Sequence, residues 1–256
     1  MVVTPDGRYV AVSYFSEDKL RLYRIEADGE LTLLHTFGSR DAGPEQFRCL
    51  LQMCLAPNCN LLVGDFVNHR VQELTGLGET EPAHVRDLKV RNANTVAVHG
   101  DTVAIGTRDA TIVLLSYAAG ATIRTFGLQG TGRGNIGTKA EGLRFTLDGA
   151  YILVAAEYSN KRLSKFRVSD GVFVDFYCEG QVSDWNKDVV IAPSGEVIVA
   201  DYGAHRVCVF SADGRTLLRT WGTEGTADGQ FDYPTALALI GSKLFVLDRK
   251  RVQVFE

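Results

Sequence analysis

Short apolar runs recur along this chain, each opened by a turn signal and each alternating apolar with polar or small residues. Six stretches share one order: a turn, an apolar run, a polar loop, and a second apolar run. Their turns are Pro5-Asp-Gly-Arg, Pro57-Asn-Cys-Asn, His99-Gly-Asp-Thr, Leu147-Asp-Gly-Ala, Pro193-Ser-Gly-Glu and Ile240-Gly-Ser-Lys. A period of two in short runs bounded by such turns predicts strands, and no stretch carries a 3.6-residue apolar stripe of helical length. The turn residues Gly7, Cys59, Gly100, Gly149, Gly195 and Gly241 follow one another at 52, 41, 49, 46 and 46 residues. A repeat of this size built from strands predicts an all-β fold, a six-bladed β-propeller of four-stranded antiparallel blades. Residues 1–256 then form one propeller domain. The first run reads as an inner strand over Met1–Thr4 and the last as a third strand over Val252–Glu256. Either the last blade is incomplete or the sequence is part of a longer one.

A second motif lies between alternate units. Thr36-Phe-Gly-Ser-Arg-Asp-Ala-Gly-Pro-Glu-Gln-Phe47, the stretch from Thr125 to Ile136 and the stretch from Thr220 to Phe231 align without gaps. The glycines look superficially like a phosphate loop, but Gly-Lys-Ser/Thr is missing and a strand follows instead of a helix. The structural reading is a crossing between blades: an outer strand ends at Thr-Phe-Gly or Thr-Trp-Gly, and Phe47, Ile136 or Phe231 plugs the seam. The remaining boundaries, around Thr75–Arg86 and Cys178–Trp185, lack the motif.

The stretches from Val63 to Leu74 and from Val199 to Phe210 carry Gly/Ala-Asp-aromatic, then His-Arg-Val, each after a Pro-x-x turn. Ala156 to Phe166 is a looser copy and Asp248 to Phe255 a shortened one. With these residues the chain resembles the NHL-repeat family of β-propellers. The resemblance implies six blades around a central channel, and little about activity, because one fold hosts many functions. Within the repeat, Asp65 and Arg70, Glu157 and Arg162, and Asp201 and Arg206 stand five apart across a loop. They are expected to be structural pairs, the acid accepting from the guanidinium and closing the loop. His69 and His205 precede the arginine, where other copies have Lys161 and Lys250; loop packing is the expected role, not metal ligation.

In propellers the inner-strand starts and the loops between second and third strands converge on the channel mouth. That placement assigns to a partner-binding face Arg48, Gln52, Phe66, Arg91, Asn92, Lys139, Glu141, Tyr158, Lys187, Asp188, Tyr202 and Tyr233, with Phe15 at a related loop position. Aromatics beside charges of both signs suit a polypeptide. The whole chain has 27 Lys and Arg against 31 Asp and Glu, a formal charge of -4, which disfavours nucleic acid as partner. Its hydrophobic runs are too short to span a bilayer, and its start lacks the features of a signal peptide, so a cytoplasmic location without membrane contact is expected. Five cysteines (Cys49, Cys54, Cys59, Cys178, Cys208) in no paired spacing read as reduced structural thiols. No catalytic residues, cofactor or metal are assigned. The expected function is a non-catalytic module, monomeric as an isolated domain, that binds a protein or peptide at the mouth. A channel-centred metal-dependent lyase or hydrolase and a single-stranded RNA-binding domain are the alternatives.

Overall fold

Tight hairpins set the blades. The six turn residues all have positive φ: 68° at Gly7, 64° at Cys59, 54° at Gly100, 69° at Gly149, 88° at Gly195 and 58° at Gly241. Hairpin turns require this left-handed backbone, which glycine adopts at least steric cost. The turns come in two lengths. At Gly7, Cys59, Gly149 and Gly195 the turn N–H bonds to the carbonyl three residues earlier, whereas at Gly100 and Gly241 only two residues separate the paired strands.

The computed structural model describes residues 1–14, 16–159 and 161–256. Each turn joins the first two strands of an antiparallel sheet, and the sheets follow chain order. Blade 1 comprises Val2–Val3, Tyr9–Tyr14, Lys19–Ile25 and Leu31–Phe37, and blade 2 comprises Leu50–Leu55, Leu61–Asp65, Arg70–Leu74 and His84–Lys89. Blade 3 comprises Ala93–His99, Thr102–Thr107, Ile112–Ser116 and Thr122–Phe126, and blade 4 comprises Lys139–Phe145, Tyr151–Glu157, Leu163–Arg167 and Phe173–Tyr177. Blade 5 comprises Asp188–Ile191, Val197–Asp201, Arg206–Phe210 and Leu217–Trp221. Blade 6 has three strands, Ala236–Ile240, Lys243–Leu247 and Val252–Phe255. The first strands contact one another in cyclic order, blade 6 against blade 1 included, and line the channel. The expected six-bladed all-β ring is therefore the observed fold, and among the described residues there is no α-helix. Among the described residues no helix is long and apolar enough to cross a membrane.

One expectation is corrected. The stretch Thr75–Arg86, read as a boundary between units, already contains the start of the fourth strand of blade 2, His84–Lys89. Only Leu88 of this outer strand is buried, the others being half-buried or exposed, so no apolar alternation betrays it. The crossing into blade 3 is only the short segment from Val90 to Asn92.

The apolar residues form six separate clusters, one for each seam between neighbouring blades. The seams between blades 1 and 2, 3 and 4, and 5 and 6 are plugged by Phe47, Ile136 and Phe231, all essentially inaccessible to solvent. In each of these crossings the glycine that ends the outer strand, Gly38, Gly127 or Gly222, has φ between 91° and 101°. A Cβ there would lie 2.9 Å from Phe47, 2.5 Å from Ile136 or 2.5 Å from Phe231. The plug thus needs a glycine for two reasons, backbone conformation and space.

These two reasons separate experimentally. Gly29 also has positive φ, at 90°, but a Cβ there meets nothing within 4 Å. Gly222→Ala is expected to lower unfolding free energy by about 2–4 kcal/mol, combining left-handed strain with overpacking. Gly29→Ala is expected to cost only the strain, about 1–2 kcal/mol. Equal losses in urea denaturation would show that the plug contact is immaterial.

Candidate functional site

The repeat arginine fastens the loops that build the mouth. Arg70 Nε donates to Asp65 Oδ2 at 2.9 Å, and Arg206 Nε donates to Asp201 Oδ2 at 2.8 Å. The other oxygen of each acid accepts a backbone N–H from the loop entering the same blade, from Arg48 at 2.8 Å and from Ser183 at 2.9 Å. The expected Glu157–Arg162 pair does not form. Glu157 turns toward Lys139, 3.1 Å away, and Arg162 pairs with Glu179 at 3.2 Å while lying over the Phe176 ring. Glutamate is one methylene longer than the aspartate of the other copies, which lets its carboxylate reach inward.

What does recur is the arginine's grip on the entering loop. Arg70 Nη2 donates to the carbonyls of Gly43 at 2.7 Å and Gln46 at 2.8 Å. Arg206 Nη2 donates to the carbonyl of Gln181 at 2.9 Å. Arg162 and Arg251 make the same bond to the carbonyls of Thr131 and Ala227. The residue before the arginine is left-handed at His69, Lys161 and His205, with φ of 55°, 59° and 53°. Both histidines are engaged locally. His69 Nδ1 accepts the N–H of Asn92 at 3.2 Å, and His205 stacks on Tyr233 with centroids 4.0 Å apart.

Above the inner strands lies a cavity of about 870 Å³. Of the residues expected at the binding face, Gln52, Lys139, Glu141, Lys187 and Tyr202 line it. Glu141 is almost fully buried and sits between two ammonium groups, Lys187 Nζ at 3.0 Å and Lys139 Nζ at 3.1 Å. Burial works to raise its pKa, but the two lysines outweigh it and hold the carboxyl below its ordinary range. The same attraction outweighs burial at Lys139 and raises its pKa. Gln52 donates to the carbonyl of Lys187 at 3.3 Å, and buried Asn94 donates to the carbonyl of Ala140 at 2.5 Å. The lysines are thereby fixed on a rigid floor.

The other expected face residues lie elsewhere. Asp188 is buried between blades 5 and 6, accepting the N–H groups of Val189 and Leu237, both at 2.9 Å, and burial pushes its pKa up. Arg48 and Arg91 are exposed outside the cavity, Asn92 bonds to Asp109 at 2.7 Å, and Tyr158 is 62% exposed. Phe66 and Tyr233 lie behind the lining, each covered by an arginine: Arg108 over Phe66 and Arg249 over Tyr233, both at 4.1 Å. Phe15 lies outside the described residues. Sequence reasoning missed Trp185, Arg108 and Arg249, all of which line the cavity. Trp185 stacks on Tyr202 at 4.4 Å and Tyr202 on Tyr233 at 4.7 Å, a continuous aromatic run along the wall.

Two measurements follow. Arg162→Ala is expected to cost about 1–3 kcal/mol in denaturation, close to the loss from Arg206→Ala, because the bond to the crossing loop is shared although the acid partner differs. A near-zero loss at Arg162 would restore the acid as the decisive partner. The second concerns pH. The folded-state pKa of Glu141 is depressed, so its stabilisation is complete above its usual value of 4.5 and is lost as pH falls through the lower folded value. The stability difference between the native protein and Glu141→Gln should therefore shrink on acidification below that point, in denaturation series across pH.

No curated protein matches the chain significantly. The family model for the NHL repeat matches residues 187–210, which span the first three strands of blade 5, including the Asp201–Arg206 pair. The chain is therefore a six-bladed β-propeller with an NHL repeat in its fifth blade.

Proposed function

We propose that the chain is a non-catalytic interaction module that binds a protein or peptide segment at the mouth of the channel. The observation that carries this reading is the aromatic wall of Trp185 and Tyr202 beside cations already fixed in place. Lys187 Nζ lies 5.2 Å from the Trp185 ring and 5.5 Å from the Tyr202 ring. Rigid aromatic anchors next to charged groups dominate binding energy in protein interfaces. The cavity volume falls in the range that encloses a drug-sized ligand or a short peptide stretch. Proton-transfer chemistry fits less well: a general acid or base works with a pKa near the operating pH, and Glu141 is held below its ordinary range between two ammoniums. NHL propellers are commonly protein-interaction modules, which agrees with the reading at the level of fold.

The test is selection of a random peptide library on the native chain, with binding of the selected peptides followed by fluorescence. Peptides that bind at micromolar concentration, shift tryptophan emission, and lose roughly tenfold or more on Trp185→Ala or Lys187→Glu are the expected result, since tenfold corresponds to about 1.4 kcal/mol. No selectable peptide, or peptides indifferent to both substitutions, would overturn it. So would tight, steeply salt-dependent binding of oligouridylate, which would move the function to RNA.

A further inference from the structure

The residue that follows the repeat acid, or its equivalent, changes in a regular way around the ring. Blade by blade it is Phe15, Phe66, Arg108, Tyr158, Tyr202 and Arg249: aromatic, aromatic, arginine, twice over. The two arginines belong to blades 3 and 6, which face one another across a six-bladed ring, and both line the cavity. Arg108 lies against Phe66, the aromatic residue that the blade before it contributes, and Arg249 lies 5.7 Å from Tyr202, which holds the same place in blade 5. Arg108 covers Phe66, and its Nε donates to Asn94 Oδ1 at 3.2 Å. Arg249 covers Tyr233, and its Nη2 donates to Tyr202 Oη at 2.6 Å. Tyr233 has φ of 60°, an uncommon backbone state for so bulky a residue.

These two guanidiniums differ from the other cations of the cavity. Lys139 and Lys187 are neutralised by Glu157 and Glu141 together, Lys250 by Asp232 at 3.2 Å and Arg251 by Asp228 at 3.3 Å. Arg108 and Arg249 have no carboxylate within 4 Å among the described residues. Each uses one N–H on a neighbour that fixes its plane and presents the rest of its fork, the geometry suited to a bidentate carboxylate.

We infer that the mouth receives an acidic polypeptide segment that spans it from blade 3 to blade 6, one carboxylate on Arg108 and a second on Arg249. An apolar or aromatic side chain between them lies on Trp185, whose ring backs onto the buried Tyr202. This rests on the reading of the chain as a peptide-binding module and names the chemistry of its partner. A nucleic acid strand is a poorer match. Its affinity comes from many phosphates neutralised together, and two free cations give a log-log salt slope of only about 1.4 on a single strand.

The experiment uses synthetic peptides with two glutamates at increasing separation around a central tryptophan, titrated against the full chain. One separation should bind best, and at about 3.3 Å per extended residue it measures the span. Arg108→Gln should weaken that peptide roughly tenfold and make it indifferent to replacement of one glutamate by glutamine. Arg249→Gln should do the same for the other glutamate, a coupling tenfold in each arm being about 1.4 kcal/mol. Arg108→Lys and Arg249→Lys, which keep charge but lose the fork, control for folding and should still weaken binding. Peptides that bind the mouth equally well without acids, or whose two acids couple to neither arginine, overturn this inference and leave the peptide-binding reading standing. Absence of any peptide binding removes both. Tighter binding by oligouridylate or by a small dicarboxylate overturns it in favour of that ligand.

Discussion

The bond from the repeat arginine to a backbone carbonyl of the crossing loop is the constraint on which the mouth depends. It recurs at Arg70, Arg162, Arg206 and Arg251. A crossing loop runs from the outer rim of one blade to the innermost strand of the next, held internally by no more than a short parallel pairing such as Ser39–Arg40 with Gln46–Phe47. Left to itself it would retain much of its conformational entropy. The guanidinium ties it to the third strand of the blade it is about to enter. The plug residue can then sit in the seam, and the inner strand starts at a defined height. The lysines, the glutamate and the tryptophan of the cavity all stand on or beside those starts.

Local features of the fold were legible in the sequence. A hairpin turn and a gap-free crossing motif are short-range events whose requirements, positive φ at Gly7 or Cys59 and a small residue facing Phe231, are written within a few residues. Side-chain pairings between strands were not. Glu157 and Arg162 keep the spacing of the true pairs, yet Glu157 meets Lys139, a residue eighteen positions earlier in the chain. Asp188 occupies an inner-strand start, but its side chain lies in the seam, where it accepts the N–H of Leu237. Arg108 and Arg249 carry no signature in their own neighbourhoods and become meaningful only when six loops are superposed.

Net charge was the least informative number. A chain with formal charge of -4 places Arg108, Lys139, Lys187, Arg249, Lys250 and Arg251 around one cavity, with only Glu141 and Asp248 as acids in its lining. Field at a concave site follows the arrangement of nearby charges, because distant ones are screened within about a Debye length. Glu157, Asp232 and Asp228 reach Lys139, Lys250 and Arg251 from just outside the lining, so the positive character of the mouth rests on Arg108 and Arg249. The lysines serve the floor, and the guanidiniums that lie on aromatic rings carry the charge left over.

The six hydrophobic clusters also have a geometric consequence. Every cluster draws its residues from two adjacent blades, so no blade owns a core and each seam sets one angle of a closed polygon. The gap between two side chains on opposite sides is then a diameter, fixed by the circumference and by no single loop. Repacking any seam, even one on the far rim from the cavity, changes that diameter a little. Two guanidiniums held across it act as the jaws of a calliper whose setting is kept by the entire ring.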